Sequence, residues 1–134
     1  VIDLGGNVLV RGSKPDGSPW KVGLPHPAQG RAGSAFSGTI ELESGSIVTS
    51  GVYERACVHD GVLYHHVLSP HTGMPIETEY PAVSVVCERS IDAEGYSTTL
   101  LALGAKRGRE LMAEHPEILQ AHFISWNGEI QPLC

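Results

Sequence analysis

The feature that most constrains this chain is a change of rhythm at about Ser90. Before it, short apolar and β-branched runs are cut apart by glycine and proline; after it, apolar residues recur every third or fourth position. Sixteen glycines and nine prolines favour a loop-rich fold with strands over a helix bundle, because neither residue suits a helix interior. Val1 to Leu4 and Val8 to Val10, interrupted by Gly5-Gly6-Asn7, predict a strand that bulges or turns at the glycines. Lys14-Pro15-Asp16-Gly17-Ser18-Pro19 is a turn, and Trp20 to Leu24 is the returning strand. Residues 26–37 predict a polar, glycine-rich loop. Thr39 to Leu42 and Ser46 to Thr49 predict a hairpin around Glu43-Ser44-Gly45. Tyr53 to Val58 and Val62 to Leu68 predict another, with His59-Asp60-Gly61 at its tip. Ala82 to Cys87 is continuously apolar and so reads as a central strand.

From about Ser90 to Leu103 the residues Ala93, Tyr96, Leu100 and Leu103 fall at helical spacing, and Gly104 supplies a stop. A second helix runs from about Ala105 to Glu114 and ends before Pro116. Ala121 to Trp126, Asn127-Gly128 and Glu129 to Gln131 predict a type I′ hairpin. The order of elements implies an α+β fold, a mostly antiparallel sheet with a helical pair packed on it. At 134 residues the chain suits one domain, 1–134.

A formal net charge of −6 argues against a nucleic-acid backbone as partner, since no basic stripe is present to release counterions. It leaves room for a phosphate-bearing ligand held by a metal or by backbone amides. Cys57, Cys87 and Cys134 have neither metal-site nor disulfide spacing; the first two are expected as buried free thiols. No run approaches the ~18 apolar residues of a membrane span. The chain opens on a strand-like run at Val1, so a preceding segment is expected.

Four groups of residues carry candidate chemistry. In Tyr64-His65-His66-Val67-Leu68-Ser69-Pro70-His71-Thr72-Gly73-Met74-Pro75 a histidine sits where a strand meets a stiff turn. There His66 is either a general base or ligand-positioning group, or a core or edge histidine bonded to backbone, and His65 must face the other way. Glu94 and Thr98, four apart on a helix, offer a carboxylate and a hydroxyl on one face, either a Mg²⁺-holding pair or a solvated face. Thr49-Ser50-Gly51, followed by Tyr53, puts hydroxyls and exposed N–H groups at a strand end, where they either hold a phosphate or only turn the chain. Gly5-Gly6-Asn7 brings backbone close to something, yet without a helix behind it is no dinucleotide fingerprint. Trp20 reads as core.

Taken together these motifs resemble the flavin transferases of the ApbE type. The histidine segment is similar to their Tyr-x-His-hydrophobic-hydrophobic-Asp-Pro-x-Thr-Gly-x-Pro, and residues 90–104 to their Ala-Asp-Ala-Leu-Ser-Thr-Ala-Leu helix. Thr49-Ser50-Gly51-x-Tyr53, Gly5-Gly6-Asn7 and Trp20-Lys21-Val22-Gly23-Leu24 match further stretches in the same order. Ser69 stands where the family has Asp, His71 where Arg is usual, and Glu94 where Asp binds the metal. The resemblance implies an ApbE-like fold, of which this chain would be about the C-terminal half. It implies Mg²⁺-dependent transfer of FMN from FAD to a Thr or Ser hydroxyl of an acceptor protein, with AMP released. Hydrolysis of FAD to FMN and AMP, or flavin binding without turnover, are the alternatives. His66 would be the catalytic base and Glu94 and Thr98 the metal ligands. Thr49, Ser50, Gly51, Tyr53, Gly5, Gly6, Thr72 and Gly73 would contact the flavin nucleotide. The family further implies a periplasmic or cell-surface location, with anchoring through the preceding segment, the cytoplasm being the alternative.

Overall fold

The structure is a computed structural model that describes residues 1–29 and 35–133. Its centre is a six-stranded antiparallel sheet built from β1 (Ile2–Asp3), β2 (Asn7–Arg11), β5 (Ser44–Gly51), β8 (Ala82–Cys87), β9 (Ile118–Ile124) and β10 (Ile130–Leu133), in that spatial order. β3 (Trp20–Pro25) and β4 (Phe36–Leu42) form a separate hairpin sheet, as do β6 (Ala56–His59) and β7 (Val62–His65). A turn of 3-10 helix, Pro27–Gln29, follows β3. The long helix α1 spans Ser90–Glu114. Part of the loop expected over residues 26–37, and Cys134, lie outside the described residues.

Strand alternation gives the sheet two buried faces. On one, Val48, Val83, Val85, Ala121 and Phe123 pack against Ala93, Leu100 and Leu101 of α1. On the other, Val10, Ile47, Val86 and Ile124 pack against Leu24, Ile40 and Leu42 of the β3–β4 hairpin. The result is three layers: helix, sheet, hairpin. Every residue of β8 is buried, as a run apolar in all but Ser84 predicts for a strand covered on both sides.

The helical pair is present as two arms of α1. Gly104 interrupts the helix with φ 74° and ψ 173°, a backbone region open in practice only to glycine. The chain folds back there, so that Tyr96 of the first arm meets His115 just beyond the second: their rings lie 5.3 Å apart.

Three sequence expectations are corrected. β4 and β5 do not pair; β4 pairs with β3, and β5 lies between β2 and β8. Gly45 to Val48 of β5 are buried in succession on both faces, which demands a central position, and Glu43 alone is too short a link for a hairpin. The turn at Asn127-Gly128 is not type I′. Gly128 has φ 83°, but Asn127 is not in the positive-φ region. Gly128 N–H donates to Ser125 C=O at 3.0 Å and Ser125 N–H to Glu129 C=O at 3.0 Å, the pattern of a type I turn with glycine at its end. Cys57 is exposed, while Cys87 is buried as expected. Trp20 packs at the edge of the hairpin-side core, its indole N–H donating to Gly12 C=O at 2.9 Å. No helix among the described residues is long and apolar enough to cross a membrane.

Candidate functional site

The polar centre of the molecule forms where α1 crosses the ends of β2 and β5. Alternation along β5 sends Ser46, Val48 and Ser50 toward the helix and Ile47 and Thr49 toward the hairpin. On the helix, Glu94, Ser97 and Thr98 share one face at i, i+3 and i+4. Ser97 is fully buried against the sheet, and Glu94 and Thr98 stand exposed at the rim. The Ser50 hydroxyl lies 2.8 Å from Ser97 Oγ and 2.9 Å from Thr98 Oγ1, and Ser97 Oγ is 3.1 Å from the Glu94 carbonyl. From β2, Asn7 Nδ2 donates to Glu94 Oε2 at 3.0 Å. Ser50, Asn7, Glu94 and Thr98 thus converge from three elements.

Glu94, Thr98 and Ser50 supply hard oxygen donors with a single negative charge. Such a set fits Mg²⁺, which keeps several waters and takes phosphate oxygens for the rest of its shell. Among the described residues there is no group of three or more His, Cys, Asp or Glu able to hold a metal ion.

Thr49 and Ser50 serve opposite faces. Thr49 Oγ1 lies 2.7 Å from Ser84 Oγ, and Thr49 N–H donates to the Gly6 carbonyl at 2.9 Å. Thr49 and Gly6 line a cavity of about 230 Å³ on the hairpin side, walled also by Val8, Val22, Ile47 and Phe36, with Asp3 and Glu54 in its lining. Gly5 N–H donates to Asp3 Oδ1 at 2.8 Å, which closes the β1–β2 turn. Gly51 is buried beneath Tyr53: a Cβ at residue 51 would sit 2.6 Å from the Tyr53 ring.

The two histidines separate as strand alternation requires. His65 is buried, with Nε2 3.2 Å from the Ile76 carbonyl and Nδ1 accepting from Val67 N–H at 3.3 Å. His66 is exposed just past β7 and forms no hydrogen bond among the described residues, to Glu94 and Thr98 included. The turn after it is built from its own side chains. Ser69 Oγ accepts His71 N–H and Thr72 Oγ1 accepts Met74 N–H, both at 3.3 Å; Gly73 N–H donates to Ser69 C=O at 2.8 Å. Ser69 therefore does what an Asp would do for this turn, without the charge. Thr72 and Gly73 are exposed, and the Thr72 hydroxyl is engaged in the turn. Val67 and Ile76 pack against the helix-side core, and Thr78 Oγ1 donates to the Leu101 carbonyl of α1 at 3.3 Å. The histidine turn and the Glu94–Thr98 face are carried on one body.

Electrostatics sets apart a further group around the fold-back of α1. Tyr96 OH donates to Glu117 Oε1 and lies 2.9 Å from His115 Nδ1. The bond to Glu117, with burial and the Glu117 charge, pushes the Tyr96 hydroxyl up to about 12, and Tyr96 in turn holds the Glu117 carboxyl below its ordinary value. Burial, followed by the charges of Asp92 and Glu117, pushes the Cys87 thiol up to about 11, which excludes it as a nucleophile near neutral pH.

Sequence reasoning singled out Glu94, Thr98 and Ser50 but passed over Ser97 and the side chain of Asn7. Ser97 was detectable three positions after Glu94 on the same face. Asn7 lay inside a motif read only for its glycines.

A model of the ApbE family matches residues 1–123. The chain is 34% identical over 130 residues to an FAD:protein FMN transferase of Klebsiella pneumoniae (strain 342), covering 97% of this chain and 38% of that protein. It is 34% identical over 126 residues to an FAD:protein FMN transferase of Treponema pallidum (strain Nichols), covering 88% and 34%. Among solved structures, the ApbE protein of Thermotoga maritima superposes with a TM-score of 0.77 at 33% identity, over 95% of this chain and 40% of that one. The apo flavinyl transferase ApbE of Pseudomonas stutzeri gives 0.69 at 34% identity, over 92% and 36%. The chain spans under two fifths of the length of these two curated relatives.

Proposed function

The chain belongs to the ApbE family, and on that premise we propose that it is the part of an FAD:protein FMN transferase that carries the cation-holding helix and the catalytic histidine. The observation that carries this reading is the convergence of Ser50, Asn7, Glu94 and Thr98. These residues come from three separate motifs of the resemblance and meet at one rim.

In this reading Glu94 and Thr98 hold Mg²⁺. When bound, the ion supplies Lewis-acid polarisation of the FAD pyrophosphate and neutralises the leaving AMP. Ser50, with the exposed Thr72-Gly73 turn, contacts the nucleotide on the helix side. On the other face Gly6 and Thr49, which line the hairpin-side cavity, together with Gly5, Gly51 and Tyr53, contact the rest of the flavin. His66 takes the proton of the acceptor Thr or Ser hydroxyl as that oxygen bonds to the FMN phosphorus. The P–O bond to the AMP phosphate breaks, and AMP departs with the electron pair. His65, held by backbone on both nitrogens, keeps the strand end in place and takes no proton from substrate.

Mass spectrometry of a Thr- or Ser-containing acceptor peptide tests this. The peptide is incubated with FAD, Mg²⁺ and this chain, alone and together with the remaining portion of a relative. A mass gain of one FMN that requires Mg²⁺ is the expected result. FMN and AMP without a modified peptide would replace transfer by hydrolysis, and bound but unconverted FAD would leave a flavin-binding protein.

A further inference from the structure

One oxygen of the Glu94 carboxylate is already engaged. Asn7 Nδ2 holds Oε2 at 3.0 Å. The other end of the amide is fixed from behind: Ser90 Oγ donates to Asn7 Oδ1 at 2.8 Å, and Ser46 Oγ lies 3.2 Å from the same oxygen. A carboxylate can only accept, so Glu94 takes the NH2 end of the amide and leaves Oδ1 to the two hydroxyls. Ser46 is fully buried, and Asn7 is registered opposite Val48 in the sheet. The tether therefore stands on the rigid sheet while its target rides on α1.

We infer that Asn7 is a positioning residue that selects the cation taken by the Glu94–Thr98 pair, an inference that rests on reading that pair as a cation site. With Oε2 already accepting from Asn7, a clasp by both oxygens must compete with that bond for Oε2, whereas ligation through Oε1 leaves the bond intact. A single carboxylate oxygen suits Mg²⁺, which demands a near-octahedral shell and keeps its waters. Ca²⁺ takes a larger shell and readily uses both oxygens of one carboxylate. The tether also confines a side chain that is one methylene longer than Asp and exposed at the helix rim. Asn7 thus favours Mg²⁺ over Ca²⁺ without touching either.

The test is a titration of the 134-residue chain with Mg²⁺ alone and with Ca²⁺ alone, followed by NMR shifts of the backbone amides of α1. It is run on wild type, Asn7→Ala, Ser90→Ala, Glu94→Ala and the Asn7→Ala/Glu94→Ala double variant. Glu94→Ala is expected to weaken both cations by tenfold or more, and Asn7→Ala to shift the Mg²⁺-to-Ca²⁺ preference toward Ca²⁺ by roughly tenfold, the scale of outer-shell effects. Ser90→Ala should move the preference the same way by less, and Asn7→Ala should change nothing once Glu94 is gone. If Mg²⁺ binding depends on Glu94 but the preference stays within about twofold in Asn7→Ala, the inference is overturned and the cation site stands. If Asn7→Ala does not fold, an unchanged preference in Ser90→Ala overturns it equally. If wild type shows no cation-dependent shift in α1, the cation-site reading fails and takes this inference with it.

Discussion

The hydroxyls of Ser50 and Thr98, 48 positions apart, lie 2.9 Å from one another. This contact joins the last turn of a central strand to the exposed rim of the helix above it. Each hydroxyl is both donor and acceptor, so the pair can turn its lone pairs outward without breaking.

Thr98→Val keeps the shape and removes the hydroxyl. Losing one hydrogen bond at a rim is expected to cost about 1 kcal/mol of stability, measured by urea denaturation. The functional effect is larger and conditional. FMN transfer should need several-fold more Mg²⁺ and recover when Mg²⁺ is raised. Loss that no Mg²⁺ concentration rescues would remove Thr98 from the cation site.

His65 and His66 should respond oppositely to alanine. His65 is buried between the Ile76 carbonyl and the Val67 amide, so its loss is expected to cost about 1–3 kcal/mol. His66 is exposed and makes no side-chain hydrogen bond among the described residues, and its removal should change stability by less than about 0.5 kcal/mol. His66→Ala should nevertheless abolish transfer and leave FAD affinity within a few-fold. Transfer that survives in His66→Ala would sink the assignment of the base.

Much of this layout was legible because local chemistry sufficed. The run of β8, apolar but for Ser84, announces a strand covered on both faces, and Gly104 marks the fold-back of α1. The pairing of β4 was not legible. An alternating run states that a strand has a buried face, not which strand lies beside it, and the choice fell to β5's need for cover on both faces. At Asn127-Gly128 the place of the turn was readable, but its type depends on the φ of Asn127, which either turn tolerates. At the site, Glu94 and Thr98 are neighbours by helix spacing alone. The bond from Asn7 to Glu94 spans 87 positions and leaves no periodic trace.

Gly104 carries its own prediction. Its φ of 74° with ψ of 173° is strained for any residue with a Cβ, although nothing lies within 4 Å of where that Cβ would sit. Gly104→Ala should therefore cost about 1–3 kcal/mol through backbone strain alone, seen as a lower urea midpoint. A neutral or stabilised variant would show that the two arms do not need this backbone geometry.

The cluster of Tyr96, His115 and Glu117 should make stability fall at both ends of the pH range. Glu117 is held below its ordinary 4.5 chiefly by the Tyr96 hydroxyl. Its folded value is depressed, so its contribution is present above 4.5 and is lost as pH falls through the folded value. Tyr96 is shifted the other way, from 10 to about 12, chiefly by its bond to Glu117. Its contribution is complete below pH 10 and is lost as pH rises toward 12, because the unfolded chain then releases a proton that the folded chain keeps. One substitution should remove both effects. Tyr96→Phe leaves the ring against His115 but deletes the hydroxyl, so Glu117 returns toward its ordinary value and the alkaline loss disappears. Calorimetric Tm measured across pH 3 to 11 in wild type and Tyr96→Phe, roughly the span of the two shifts, checks this. Parallel Tm curves for the two proteins at both extremes would mean that the hydroxyl does not couple the fold-back of α1 to protons.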